Sequence, residues 1–260
     1  MHFEHLLIED RDAVRVLTVN RPDKLNALNR ATLLELQRAF DACREDAAIR
    51  VAVVRGAGGK AFIAGADIAE LAALDPIQAR DFSRLGQRLM RSIEGLGKPA
   101  IAMIGGYALG GGMELAMACH LRIASEQAKF GQPEINLGTL PGFGGTQRLL
   151  RLAGRGAALE LCLGGAPLGA QRAYELGLIH RIVAAEQLEL DTMTLATQLA
   201  NAAPQALRGI LDAVLIGGEC GIEAGLDYET QAFALCASTQ DMREGTQAFL
   251  QRRKPVFRGR

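Results

Sequence analysis

The chain contains 260 residues, of which 49% are hydrophobic and 22% charged, so it can form one substantial domain with a small appendage. Lysine and arginine together number 29, as do aspartate and glutamate. This balance argues against nucleic acid as the main ligand, because binding a phosphate backbone requires a basic excess or a clustered basic stripe.

The five cysteines are widely spaced and form no C-x-x-C pair, which argues against a disulfide framework and a zinc site. Residues 1–5 contain no charged segment followed by an apolar run, so we expect no signal peptide. No stretch approaches the ~18 uninterrupted apolar residues of a membrane-spanning helix. We therefore expect a cytoplasmic protein that has no membrane partner and keeps its cysteines reduced.

Strands and helices alternate in the first two thirds of the chain. The β-rich runs 6–8 and 14–19, separated by a polar segment, predict a hairpin. Asn29 is placed to cap a helix in which apolar residues recur at helical spacing. Residues 51–54 predict a short strand, and residues 56–67, which are rich in glycine and alanine, predict a loop.

The alternation continues with a long helix over residues 76–93 and a strand over residues 99–104. A glycine loop over 105–112 leads into a helix around 113–119, and residues 121–124 predict another strand. This order is typical of an α/β layer built from strand–strand–helix or strand–helix units.

From about residue 188 the sequence predicts helices alone, interrupted by proline and glycine. We therefore place a core at residues 1–194 and a smaller helical region at residues 195–260. This region either caps the core or reaches a neighbouring subunit. Because no low-complexity linker separates the two parts, we expect them to pack tightly.

Several common catalytic and nucleotide-binding motifs are missing from the sequence. Gly58-Gly59-Lys60 is followed by Ala61 rather than by Ser or Thr, and it lacks the first P-loop glycine. No G-x-G-x-x-G follows the first strand, and none of the serines lies in G-x-S-x-G. The histidines have no spacing typical of a metal site. We therefore expect chemistry that depends on carboxylates and backbone groups, without a metal.

Glu114 follows three consecutive glycines and lies in an apolar segment, which predicts a buried helix. Burying an unpartnered carboxylate costs several kcal/mol, whereas a favourable position in a helix dipole contributes only about 0.3–1 kcal/mol. The position of Glu114 therefore favours a functional role over a purely structural one.

Glu134 follows Gln132 and Pro133, and the Gln132 amide could orient its carboxylate. Taken alone, Glu134 is more simply interpreted as a loop carboxylate that faces water. The glycines before Glu114 can expose backbone N–H groups to a ligand, and each such donor can stabilise a developing oxyanion by ~3–4 kcal/mol. The alternative is that these glycines only allow close helix–sheet packing. Residues 64–67 are a second candidate source of a backbone donor.

Together these segments closely resemble the enoyl-CoA hydratase/isomerase (crotonase) family. The resemblance runs in order over nearly the whole chain, which makes it specific. Its matching segments are 20–22, 26–28, 60–68, 98–99, 106–116, 130–134, 138–149 and 243–249.

The resemblance implies an α/β fold, a crotonase-like spiral of strand–strand–helix repeats with a helical C-terminal trimerisation region, which assembles as a homotrimer or homohexamer. It implies that the backbone N–H groups of Ala66 and Gly111 form an oxyanion hole. The residues that it implies for binding CoA and the acyl group are Lys24, Leu25, Ala27, Ala64, Asp67, Ile68 and Gly142. It also implies a contribution from Lys254 and Phe257 of a neighbouring subunit.

The presence of both glutamates implies an enoyl-CoA hydratase, which adds water to a trans-2-enoyl-CoA and forms a 3-hydroxyacyl-CoA. Glu134 is the candidate proton donor to the α-carbon and Glu114 the candidate base, although the two roles could be exchanged or shared. No metal or redox cofactor is expected, since coenzyme A belongs to the substrate. The wall of the acyl pocket is expected from residues 71–89 and from Phe143.

Two alternatives stay open at this point. A double-bond isomerase of the same fold needs only one acid–base group, and a non-catalytic acyl-CoA- or RNA-binding scaffold needs none. Two departures from the family pattern, His120 in place of a common aspartate and Met113 in place of a small residue or cysteine, are expected to change packing rather than chemistry.

Overall fold

Two β-sheets lie at the centre of the fold, and helices pack around them. The computed structural model describes residues 3–260. Residues 1 and 2, which belong to the segment where we expected no signal peptide, lie outside the described residues. The strands are β1 (Leu6–Arg11), β2 (Val14–Val19), β3 (Val51–Gly56), β4 (Ala61–Ala64), β5 (Ala100–Ile104), β6 (Tyr107–Leu109), β7 (Leu121–Ser125), β8 (Lys129–Gly131), β9 (Leu168–Gly169) and β10 (Arg181–Val183). The helices are α1 (Arg30–Glu45), α2 (Ile68–Ala72), α3 (Pro76–Glu94), α4 (Gly111–Ala118), α5 (Gly145–Gly164), α6 (Ala170–Glu175), α7 (Leu188–Ala200), α8 (Pro204–Gly217), α9 (Ile222–Ala237) and α10 (Gln240–Leu250).

From β3 to β8, successive strands belong alternately to the first and to the second sheet. The first sheet has the order β1-β2-β3-β5-β7-β10, in which β1 and β2 form the predicted antiparallel hairpin and the other pairs are parallel. The second sheet has the order β4-β6-β8-β9. Each of the pairs β3–β4, β5–β6 and β7–β8 contributes one strand to each sheet and is followed by one or two helices. This arrangement confirms the predicted spiral of strand–strand–helix repeats.

Both faces of the inner strands β2, β3, β5 and β7 of the first sheet are largely buried, as is usual for parallel strands. Because side chains alternate along a strand, Leu17 and Val54 face the large core that also contains α1, α3 and α4. Val16 and Val53 point to the opposite face, where α7 covers them. The second sheet packs against the face of the first sheet that carries Leu17 and Val54, in the same core as α4.

The predicted helices over 76–93 and after Asn29 are confirmed, and the Asn29 side chain caps α1 by accepting the N–H of Thr32 at 2.8 Å. The interpretation of 56–67 and 105–112 as loops alone was wrong, because these segments contain β4 and β6. These strands have only four and three residues, too few to produce an alternating pattern among flanking glycines.

The helix predicted around residues 113–119 is confirmed as α4, which begins two residues earlier, at Gly111. Its second residue, Gly112, packs against β4 so closely that an added Cβ would lie 2.0 Å from the carbonyl oxygen of Ile63. The glycines therefore serve close helix–sheet packing as well as exposing backbone at the helix start.

The C-terminal third is helical, as predicted, and α8 packs against α9. Helix α7 crosses the proposed boundary at residue 195 and packs against β3 and β5, so it contributes to the core of the first sheet. The division at residue 195 stays a prediction. Within residues 3–260, none of the helices combines the length and hydropathy that spanning a membrane requires.

Candidate active site

Glu114 lies in the first turn of α4 and is buried, as its apolar surroundings predicted. Its Oε1 accepts the backbone N–H groups of Phe143 at 2.8 Å and of Gly145 at 2.6 Å. Burial raises the pKa of Glu114 to about 8 and the charge of Glu134 adds to the rise, whereas the two N–H donors and Arg148 oppose it. The carboxyl therefore exchanges its proton near neutral pH.

Glu134 lies in a 3-10 turn, Pro133–Leu137, and is half-buried. The Gln132 amide, oriented with its nitrogen toward Glu134, donates to both carboxylate oxygens at 3.1 Å. A Cβ added at Gly110 would lie 2.5 Å from Glu134 Oε1, so the carboxyl packs against the backbone that leads into α4. Burial raises the pKa of Glu134 to about 7. Two carboxyls with raised pKa values thus flank the start of one helix.

The backbone N–H groups of Ala66 and Gly111 lie just beyond two paired strands, β4 and β6, whose last residues Ala64 and Leu109 are register partners. Gly111 begins α4, and N–H groups in the first turn of a helix have no acceptor within that helix. Ala66 forms an isolated parallel bridge with Leu28, whose hydrogen bonds use the residues on either side of Ala66. Neither N–H group has a protein acceptor within residues 3–260.

The two loops that carry these N–H groups are in contact. Gly110 has a positive φ of 49° and Gly65 a positive φ of 102°, backbone conformations that favour glycine. A Cβ added at Gly110 would lie 3.5 Å from the Cα of Gly65. The structure therefore brings two unpaired donors together beside the pair of glutamates.

The segments predicted to bind CoA lie side by side. The carbonyl of Leu25 accepts the N–H of Ala64 at 3.0 Å, and Lys24, Leu25 and Ile68 are exposed to solvent. The turn that carries Lys24 and Leu25 depends on the next residue, Asn26, which is buried and has a φ of 61°. Its side chain accepts from the Arg21 N–H and donates to two carbonyls of residues 57–61.

Asp67 makes contacts within the chain. Its carboxylate forms an ion pair with Arg21 Nη2 at 2.9 Å and caps α2 through the N–H of Ala69. The Arg21 hydrogen bond and charge hold the pKa of Asp67 below its ordinary value. Arg21 also donates to the carbonyl of Ala27, so this pair ties the two predicted CoA-binding segments together. The direct part of Asp67 in substrate binding stays a prediction.

Gly142 begins the loop that serves Glu114. Its carbonyl accepts from Ser83 Oγ at 2.6 Å and from Gln87 Nε2 at 3.1 Å, which fixes the loop to α3. The adjacent Phe143 ring is buried and meets Phe82 edge to face at 5.3 Å. The same ring lies against Gly111, beside the N-terminus of α4.

The remaining sequence-derived residues lie elsewhere. Phe257 packs beside Gly245 of α10 within its own chain, so a contribution of Lys254 and Phe257 to a neighbouring subunit stays a prediction. His120 Nδ1 accepts the N–H of Ala100 at 2.9 Å, and its Nε2–H therefore donates to the carbonyl of Glu94. These two hydrogen bonds give His120 a structural role, because they join it to the backbone of Ala100 and of Glu94.

Some groups of the site had no predicted role. They are the backbone donors of Phe143 and Gly145 and the side chains of Arg21 and Asn26. The donors reach Glu114 across 29 and 31 residues, and nothing in their local sequence indicates that contact. Arg21 and Asn26 belonged to matched segments, which was the one signal available for them.

Comparisons with known proteins identify the family of the chain. The family model for enoyl-CoA hydratase/isomerase matches residues 9–260. A crotonyl-CoA hydratase from Syntrophomonas wolfei subsp. wolfei is 43% identical over 257 residues, which are 99% of each chain. A short-chain-enoyl-CoA hydratase from Clostridium acetobutylicum is 41% identical over 98% of this chain and 97% of that relative.

A crystal structure of an enoyl-CoA hydratase from Bacillus anthracis superposes with a TM-score of 0.96 at 39% identity, covering 99% of this chain and 100% of that one. The protein is therefore an enzyme of the enoyl-CoA hydratase/isomerase family and has the crotonase fold.

Proposed function

We propose that the protein is an enoyl-CoA hydratase that adds water syn across the 2,3 double bond of a trans-2-enoyl-CoA and forms a 3-hydroxyacyl-CoA. The observation that carries the proposal is the convergence of two carboxyls with raised pKa values, Glu114 and Glu134, on the start of α4 beside two unpaired backbone N–H groups. The hydratases at 41–43% identity support the same reaction class.

In the proposed reaction, the Glu114 carboxylate takes a proton from water while the water oxygen bonds to the β-carbon. The π electrons of the double bond move to the thioester oxygen, and the N–H groups of Ala66 and Gly111 stabilise the negative charge there. The carbonyl then reforms as the α-carbon takes the proton of Glu134. One proton has moved from Glu134 to Glu114, and exchange with solvent restores the pair.

Burial gives the pair the single proton that this reaction needs, and because Glu114 has the higher pKa, that proton passes to Glu134 before Glu114 acts as the base. With pKa values raised to about 8 and about 7, Glu114 and Glu134 together retain a proton near neutral pH. The two backbone donors on Glu114 favour its ionised form, which suits the base. Gln132 orients Glu134, which suits a group that must deliver a proton to one face of the substrate. The proposal requires no metal or redox cofactor.

The assay that tests the proposal is the loss of enoyl-thioester absorbance from crotonyl-CoA, with identification of the product as 3-hydroxybutyryl-CoA. We expect rapid loss with the wild type and strongly reduced loss with Glu114→Gln and Glu134→Gln. Near-normal hydration by both variants would refute the roles of the two carboxyls. Conversion of trans-3-enoyl-CoA without hydration would identify an isomerase, and binding without turnover of either substrate would identify a non-catalytic scaffold.

We further propose that the C-terminal helices join three copies of the chain, as a homotrimer or a hexamer of two trimers. Large apolar side chains on these helices are exposed in the single chain, among them Val214, Phe233, Leu235 and Phe249. Such a surface favours burial against another protein. Sedimentation equilibrium tests this proposal, because a monomer across the micromolar range would contradict it. Localisation in the cytoplasm is proposed with it, as all five cysteines are free thiols.

A further inference from the structure

Glu114 is held by a loop rather than by regular structure. Residues 142–144 precede α5, and Gly144 has a φ of 107°. The loop and the first residue of α5 nevertheless present two N–H groups, those of Phe143 and Gly145, to a single oxygen of a buried carboxyl. Something outside the loop must fix the orientation of its peptide groups, because a flexible loop cannot keep two donors on one atom.

Arg148, in the first turns of α5, makes that connection. Its Nη1 donates to the carbonyl of Phe143 at 3.0 Å, while its Nε and Nη2 form a two-point ion pair with the Glu94 carboxylate at 2.7 and 2.8 Å. The Arg148 side chain is only 13% exposed. A Cβ added at Gly144 would lie 2.2 Å from Arg148 Nη1, so a glycine is needed for the guanidinium to reach the loop.

Three consecutive peptide groups of the loop are held in this way. In a planar trans peptide the C=O and the following N–H point in opposite directions, so anchoring one sets the other. Ser83 and Gln87 hold the Gly142 carbonyl, which directs the N–H of Phe143 toward Glu114. The Arg148 backbone N–H holds the Gly144 carbonyl at 2.9 Å, which directs the N–H of Gly145 toward Glu114. The Arg148 side chain holds the Phe143 carbonyl, which belongs to the middle peptide group that links the two donors.

The other end of the ion pair is also anchored. Glu94 is the last residue of α3, and its backbone carbonyl accepts the Nε2–H of His120 at 2.9 Å. The ion pair therefore joins the end of α3 to the start of α5 directly behind the loop.

We propose that the Glu94–Arg148 pair positions the catalytic base: it keeps the Phe143 and Gly145 N–H groups on Glu114 Oε1 and leaves the other carboxylate oxygen for water. Arg148 is a positioning residue, since it touches the loop and not the reacting atoms. The proposal deepens the proposed function and rests on it. Loss of the guanidinium releases the Phe143 carbonyl, so the peptide group that links the two donors can turn, and the donors are then no longer held together on Glu114 Oε1.

The test compares Arg148→Met, Arg148→Lys and Glu94→Gln with the matched control Arg151→Met. Arg151 lies one turn further along α5 and forms an exposed ion pair with Glu219 at 2.6 Å. We expect Arg148→Met to lower kcat for crotonyl-CoA about 10- to 100-fold with KM changed less than about threefold, because misplacing a catalytic group by about 1 Å costs this much. Arg148→Lys is expected to recover part of the loss, and Arg151→Met to stay within about twofold of the wild type.

Two further measurements separate positioning from mere stabilisation. The limb of the kcat–pH profile that reports ionisation of Glu114 is expected to move to higher pH in Arg148→Met and also in Arg148→Lys, which keeps the positive charge, but not in Arg151→Met. Infrared titration of the Glu114 carboxyl, assigned by its loss in Glu114→Gln, is expected to move in the same direction and needs no hydration activity. A failure of the hydratase proposal would therefore leave this result intact. A lower melting temperature with unchanged kcat, pH profile and titration would overturn the positioning role.

Discussion

Replacing Glu114 with glutamine is expected to stabilise the folded protein increasingly as the pH rises. Glutamine has nearly the same shape as glutamate, and its side-chain oxygen can still accept the N–H groups of Phe143 and Gly145. The variant therefore removes the ionisable group while keeping the packing and the hydrogen bonds. Its effect isolates the free energy of holding a charge at this buried position.

The magnitude follows from the rise in the pKa of Glu114 from an ordinary value of 4.5 to about 8. Because the folded protein binds this proton more tightly than the unfolded chain, the stability that Glu114 contributes is fully present below pH 4.5 and is lost as the pH rises through about 8. One pKa unit corresponds to 1.36 kcal/mol, so the loss is on the order of 5 kcal/mol. Glutamine does not undergo this loss.

The assay is urea unfolding of both proteins between about pH 5 and pH 9, at one protein concentration because self-association adds to apparent stability. We expect a difference in the free energy of unfolding below about 1 kcal/mol at the acidic end and roughly 5 kcal/mol in favour of the variant at the alkaline end. Glu160→Gln, at an exposed position of α5, is the matched control and should show no such trend. A difference between Glu114→Gln and the wild type that is independent of pH would refute the reasoning.

Three further predictions concern activity. Gly110→Ala is expected to lower the hydration rate at least about tenfold with an unchanged circular dichroism spectrum. The new methyl would meet Glu134 Oε1, and the backbone at this position has a positive φ. The control is Gly156→Ala, because the space around Gly156 is open. Asp67→Asn is expected to raise KM severalfold in a steady-state assay, because it breaks the ion pair with Arg21 that joins the predicted CoA-binding segments; an unchanged KM would contradict this. The wild-type kcat–pH profile is expected to be bell-shaped with a maximum near about pH 7.5. The reason is that Glu114 and Glu134 must together hold one proton, and their pKa values are raised to about 8 and about 7. A maximum at acidic pH would contradict this prediction.

The burial of Glu114 could be predicted from sequence because every neighbouring residue in its helix is small or apolar. What makes this burial tolerable could not be predicted from local patterns. The two N–H groups come from a loop that follows three further elements of structure, and backbone donors have no sequence signature. The resemblance of residues 138–149 to the family marked the loop but assigned no contact to it.

The strands of the second sheet mark the limit of the pattern-based prediction of the fold. β4 and β6 are too short for a two-residue alternation to stand out, and the glycines beside them indicate loops. Their parallel pairing nevertheless ends at Ala64 and Leu109, two residues before Ala66 and Gly111. The resemblance to the family supplied this pairing through the spiral that it implied, whereas hydrophobic periodicity alone did not.

Asp67 illustrates how the predicted location of a segment can leave the role of a side chain open. The sequence placed it at a CoA-binding segment, and the structure gives its carboxylate to Arg21 and to the start of α2. A long-range ion pair of this kind depends on the approach of two loops, which sequence spacing does not encode.

The central claim is that Glu114 and Glu134 act as one pair on one water molecule, and the hydration rate of the double variant tests it most directly. Each single glutamine variant is expected to lower kcat for crotonyl-CoA about 10²- to 10⁴-fold. Because either carboxyl without its partner cannot complete the proton transfers, the account predicts that Glu114→Gln/Glu134→Gln is about as slow as the slower single variant. Losses that multiply in the double variant, or single variants that hydrate at near wild-type rates, would contradict the account.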